Sequence, residues 1–208
     1  MNSKPLIFVL ASILLLSSLS LHAQTNFSGK LYVNTNDSKV NWKGRKPTGE
    51  HSGYVKLSGG EINLDHNEIT GGSFTIDLNS VVDLDLKDGG MNRRLVGHLK
   101  SADFFDVAQY PTAKFVITKV SKVPRTDAAA DKATHRIEGN LTIKGITKRI
   151  GFDASVNLLK GKLVASTAPF TLDRTQWNVN YQSKSIFAEL KDQFIYDDMT
   201  LSIELVSK

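Results

Sequence analysis

The chain has 208 residues, a formal charge of +5 and no cysteine. That length suits one domain with a core of its own, and the missing thiol excludes a disulfide framework, a cysteine nucleophile and a lipoprotein attachment site. Lysines and arginines are interleaved with acids instead of forming a basic face, which speaks against nucleic acid as a partner.

Lys4 precedes an apolar run over residues 6–21, followed by His22-Ala23-Gln24. A basic start, an apolar stretch and a small residue before polar sequence predict a secretory signal peptide over residues 1–23, cut after Ala23. The run is shorter than the ~20 residues a spanning helix needs. The mature domain is then residues 24–208.

Period-two alternation dominates the mature domain. Phe74, Ile76 and Leu78 alternate with polar residues, as do Phe152, Ala154, Val156 and Leu158, and Met199, Leu201, Ile203 and Leu205. Shorter strands are expected at 31–33, 40–42, 54–57, 62–64, 115–120, 137–143 and 163–172. Gly59-Gly60 predicts a tight hairpin turn between two of these. Gly71-Gly72 lies inside a strand pattern and predicts a bulge, His66 falls in a turn, and Gly161 marks a further hairpin. Many antiparallel strands with short connections favour a barrel or a sandwich.

One segment departs from this pattern. Met91, Leu95, Leu99 and Ala102 recur at helical spacing, Asp88 is placed as N-cap, and Pro111 closes the segment. Residues 124–136 are polar and read as an exposed loop.

Signatures of catalysis are absent: no HExxH, GxSxG, P-loop or GxGxxG run occurs. The histidines do not share the spacing of a zinc helix or hairpin, so no metal is expected, although distant strands can still assemble a site. Asp83, Asp85 and Asp88 faintly resemble a calcium loop, but the ligand, glycine and glutamate positions hold Lys87, Asp88 and Arg94, and that reading fails. His98 lies near the apolar stripe of the helix and is read first as a hydrogen-bonded core residue, second as a group that meets a ligand. Asp173-Arg174 reads first as a local ion pair holding a turn, second as a ligand contact.

Five segments carry a family resemblance. They are Ser38-Lys39-Val40-Asn41-Trp42 with His51-Ser52-Gly53, then residues 71–77 (GGSFTID), 97–115 (GHLKSADFFDVAQYPTAKF), 139–148 (GNLTIKGITK), and Asp173-Arg174 with Trp177 and Tyr181. In this order they resemble the YceI-like family of bacterial envelope proteins. Residues 123–136 look like an insertion, and residues 183–197 are longer and more polar than a minimal barrel needs.

The resemblance implies an all-β, lipocalin-like antiparallel barrel of about eight strands with one α-helix between the strand groups. It implies a periplasmic binding protein, not an enzyme, that holds a polyisoprenoid, a quinone or a fatty-acid-like lipid and needs no cofactor. Transient membrane contact for lipid exchange and a homodimer are compatible with it. The inward strand residues Phe74, Ile76, Phe115, Ile117, Leu141, Phe152, Phe170 and Leu201 are the expected lining, about half of them ordinary core by analogy with close-packed interiors. Leu95, Leu99, Phe104 and Phe105 are expected to seal one side, and His98, Arg174 and Trp177 complete the candidate ligand-binding set. Two alternatives stand beside this: a lipid- or quinone-modifying enzyme using His98, Asp173 and Arg174, and a structural barrel with a filled interior.

Overall fold

The computed structural model describes residues 26–124 and 133–208. The expected signal peptide lies outside these residues, as does most of the expected loop over 124–136. The end of that loop is strand instead, because β6 already starts at His135.

The strand segments are β1 (Gly29–Tyr32), β2 (Lys39–Lys46), β3 (Gly49–Asp65), β4 (Glu68–Asp83), β5 (Thr112–Lys122), β6 (His135–Ile143), β7 (Ile146–Leu159), β8 (Lys162–Thr167), β9 (Phe170–Asp173) and β10 (Asp198–Val206). The helix α1 (Gly89–Lys100) sits between β4 and β5. Neighbours run β3-β2-β10-β8-β7-β6-β5-β4, and β4 pairs back onto β3, closing an eight-stranded antiparallel barrel. Two places in the ring are each shared by two segments. β3 pairs with β2 through its first half and with β1 near its end. β10 pairs with β9 through Asp198 to Leu201 and with β8 from Glu204 onward.

Alternation produces the wall as expected: along β4, Phe74, Ile76 and Leu78 are buried while Ser73, Thr75 and Asp77 are more exposed. β3 and β4 are long enough to wrap the barrel, and they bend at register shifts. One shift falls beside Gly71-Gly72, where Asn63 faces Gly71 but Leu64 faces Ile69.

The Gly59-Gly60 turn is corrected: both residues lie within β3. A Cβ on Gly60 would come within 2.8 Å of the Phe74 ring, so glycine is there for close approach. The hairpin lies further on, at His66-Asn67, whose φ values of 49° and 66° suit a tight two-residue turn. The turn at Gly161 is present, with Lys160 and Gly161 both left-handed.

Asp88 caps α1, its Oδ1 accepting the Met91 N–H at 2.7 Å. The expected apolar stripe does not bury: none of the helix residues is fully buried, and Met91 is 61% exposed. The helix packs on β4, and of its residues only Leu99 reaches the barrel interior.

Candidate functional site: an apolar lumen

The inward faces of the strands do not meet. They enclose a cavity of about 240 Å³ whose wall is almost entirely carbon. The filled-barrel alternative is therefore set aside. For scale, a dry apolar cavity of ~150 Å³ already takes up benzene.

An aromatic band crosses the wall. Phe74 stacks on Phe115 with centroids 6.4 Å apart, Phe115 lies 5.5 Å from Phe152, and Phe152 stacks on Phe170 at 4.9 Å. Phe115 on β5 reaches Phe152 on β7 across the strand between them because Gly139 stands there. A Cβ on Gly139 would lie 2.5 Å from Phe115 Cζ. Ile76, Ile117, Leu141 and Leu201 complete the expected part of the wall.

At one end the segment after α1 folds over the lumen. Ser101 caps the helix by donating to the His98 carbonyl, Asp106 adopts a left-handed φ of 48°, and Phe104 and Phe105 between them join Leu99 of α1 on the wall. Phe104 is the hinge of a cluster: its ring lies 5.1 Å from His98 and 5.4 Å from Tyr181, and the Arg174 guanidinium sits over it at 5.8 Å.

Arg174 lines the lumen yet is 1% exposed. It opens a short 3-10 turn, Arg174–Trp177, that follows β9 directly. Its N–H groups donate to the carbonyls of Val179 at 2.6 Å, Ile195 at 3.2 Å and Tyr196 at 3.3 Å. The expected pairing with Asp173 is corrected: the ion-pair partner is Asp197 at 3.6 Å, while Asp173 caps the turn through the N–H and hydroxyl of Thr175. Burial lowers the Arg174 pKa, and the charges of Asp197 and Asp173 work against that. Burial would raise Asp197, but hydrogen bonds from Ser183 and Ser185 and the charge of Arg174 outweigh it and hold this carboxyl below its usual value.

Three residues of the expected set sit off the wall. Leu95 is not part of the wall, since Leu99 is the α1 residue that reaches the lumen. His98 is a third exposed and packs edge-on against Tyr181 at 4.5 Å, with Asp103 Oδ2 at 3.4 Å from its Nε2. Trp177 is buried behind the wall, where its Nε1–H donates to the Leu141 carbonyl at 3.0 Å. The expected set also missed wall residues. Trp42 and Val40 alternate on β2 and were legible; Ile195 and Tyr196 come from an irregular segment with no periodicity to read. Tyr196 lies beneath two cations, with Arg45 and Lys184 at 5.4 and 5.3 Å from its ring.

A closed antiparallel barrel of eight strands around an apolar lumen, with one helix between strand groups, is a lipocalin-like all-β fold. The YceI-like domain matches residues 31–207, and the chain belongs to that family. Among sequence relatives, a UPF0312 protein of Pseudomonas putida strain W619 is 33% identical over 51% of this chain and 53% of its own length. A second, from P. putida strain F1, is 45% identical over 29% of this chain and 28% of its own. The chain thus spans about half or less of the curated relatives it matches. Two solved structures share the fold: BcnA of Burkholderia cenocepacia (TM-score 0.63, 23% identity, 85% of this chain and 99% of that one) and a polyisoprenoid binding domain from Saccharophagus degradans (TM-score 0.58, 13% identity, 88% and 99%).

Proposed function

We propose that this chain is a carrier that encloses a long-chain amphiphile, isoprenoid or acyl, in the barrel lumen, without chemistry upon it. The observation that carries the reading is the carbon-walled cavity of about 240 Å³. Each methylene moved from water into such a wall gains ~0.8 kcal/mol, and no charge or metal is needed for that. The fold shared with the polyisoprenoid binding domain supports the same class of cargo. The proposed site of action is the periplasm, after removal of residues 1–23, in transport, storage or stress protection, with cargo exchanged at a membrane surface.

The enzyme reading loses support from the disposition of its three residues. His98 is off the wall, Asp173 is spent on Thr175, and Arg174 is spent on carbonyls and Asp197.

Native mass spectrometry of the protein exported by its own host tests the carrier reading. An added mass that extracts into organic solvent and fragments as an isoprenoid or acyl chain is expected, and the same spectrum counts subunits. A bare mass, with no uptake from a total lipid extract, overturns the proposal.

A further inference from the structure

Outside the lumen, the start of β3 and the end of β4 bring together His51, Asp83 and Asp85. One ligand atom from each lies within 4.8 Å of the other two, and among the described residues this is the place where three such groups converge. The pairing that sets Gly53 opposite Asp83 makes the meeting, helped by the adjacent register shift between Tyr54 and Lys56.

Asp83 keeps one oxygen free of hydrogen bonds, and Asp85 shares its second oxygen with His51. Asp83 Oδ1 accepts the Leu86 N–H at 2.9 Å and the Asn92 side-chain amide at 3.1 Å. Asp83 Oδ2 receives no hydrogen bond, although the side chain is wholly buried, and it faces His51 Nδ1 from 4.0 Å. Asp85 Oδ1 accepts the Ser52 N–H at 2.6 Å, and its Oδ2 lies 2.9 Å from the same His51 nitrogen. A buried carboxylate oxygen without a donor is costly, and a cation is one way to offset it. Burial raises the Asp83 carboxyl above its usual value. Asp85 falls to about 2, because the Ser52 N–H, His51 and Asp83 outweigh burial.

We propose that His51, Asp83 and Asp85 form a binding site for a divalent first-row transition ion, with Zn²⁺ the best fit. Imidazole with two carboxylates suits zinc, whereas magnesium and calcium seek six or more oxygens. Bonds of roughly 2.0–2.2 Å from a tetrahedral ion place ligand atoms about 3.5 Å apart. The separations of 2.9 and 4.0 Å about His51 Nδ1 straddle that value. His51 and Asp85 are each about a third exposed, 30% and 36%, which leaves a solvent side for entry and for a water ligand. Asn92, from α1, orients Asp83 and ties the helix to the site. The ion is independent of whatever fills the lumen.

The test is zinc chloride titrated into the full chain, free of any histidine tag and dialysed against chelator, read by calorimetry and by native mass. One Zn²⁺ per chain is expected. His51→Gln and Asp85→Asn, both partly exposed and so expected to fold, should each weaken it at least about tenfold. His66→Gln and His135→Gln should leave it unchanged. No stoichiometric uptake overturns the proposal, since His51 is then simply the hydrogen-bond partner of Asp85. Uptake that survives His51→Gln and Asp85→Asn also overturns it, as does Mg²⁺ binding with equal affinity.

Discussion

Arg174 and Asp197 face each other at 3.6 Å beside the lumen, and the arginine is 1% exposed. The remaining guanidinium donors close on carbonyls of Val179, Ile195 and Tyr196, so one side chain anchors the segment that leads into β10. Removing one partner of a buried pair leaves the other charge uncompensated. Arg174→Met is expected to cost about 3–5 kcal/mol in urea unfolding. Arg174→Lys should recover little of it, because an ammonium cannot reach three carbonyls in a planar fork.

Asp197 sets an acid limit on the same anchor. Its carboxyl is held below its usual value, so its contribution is fully present above the unfolded value of ~3.9 and is lost as pH falls through the lower folded value. Melting temperature should therefore decline below about pH 4 in the native chain. Asp197→Asn should melt lower at neutral pH and show a flatter acid limb; parallel acid limbs in the two proteins would refute the assignment.

Gly139 is expected to resist every substitution. A Cβ there meets Val116 O at 2.4 Å and Phe115 Cζ at 2.5 Å, one of them backbone. Gly139→Ala should destabilise by about 1–3 kcal/mol through overpacking and push the Phe115 ring toward the lumen. Chemical denaturation together with the near-ultraviolet signal of the aromatic band measures both effects.

Neighbours on β8 separate lumen from surface. Ala165 lines the cavity, whereas Val164 is 46% exposed. Ala165→Trp should abolish uptake of a fluorescent fatty acid or isoprenoid analogue, and Val164→Trp should leave uptake intact. Equal uptake by both variants would place the cargo elsewhere.

The regular part of this architecture was legible because alternation is local. The runs at Phe74–Leu78, Phe152–Leu158 and Met199–Leu205 read directly as one-sided strands, and they form β4, β7 and β10. Gly59-Gly60 misled because glycine answers two demands, a reversed chain and a crowded neighbour, and here the neighbour is Phe74. Leu95 misled because helical periodicity identifies a face without saying how much of it touches anything. Arg174 lines the lumen, but its ion-pair partner comes from the aperiodic stretch before β10. His51 and Asp83 become neighbours only through the β3–β4 register, which no spacing along the chain records.

The ring of hydrogen-bonded strands closes on itself, with β4 returning to β3. Traffic into the interior is therefore confined to the ends, since parting any two staves would break a whole ladder at once. If the lumen holds a lipid as proposed, its exchange rate belongs to the irregular chain at the end where Phe104-Phe105 and Ile195-Tyr196 meet around Arg174, and the strand ladders act as a sleeve.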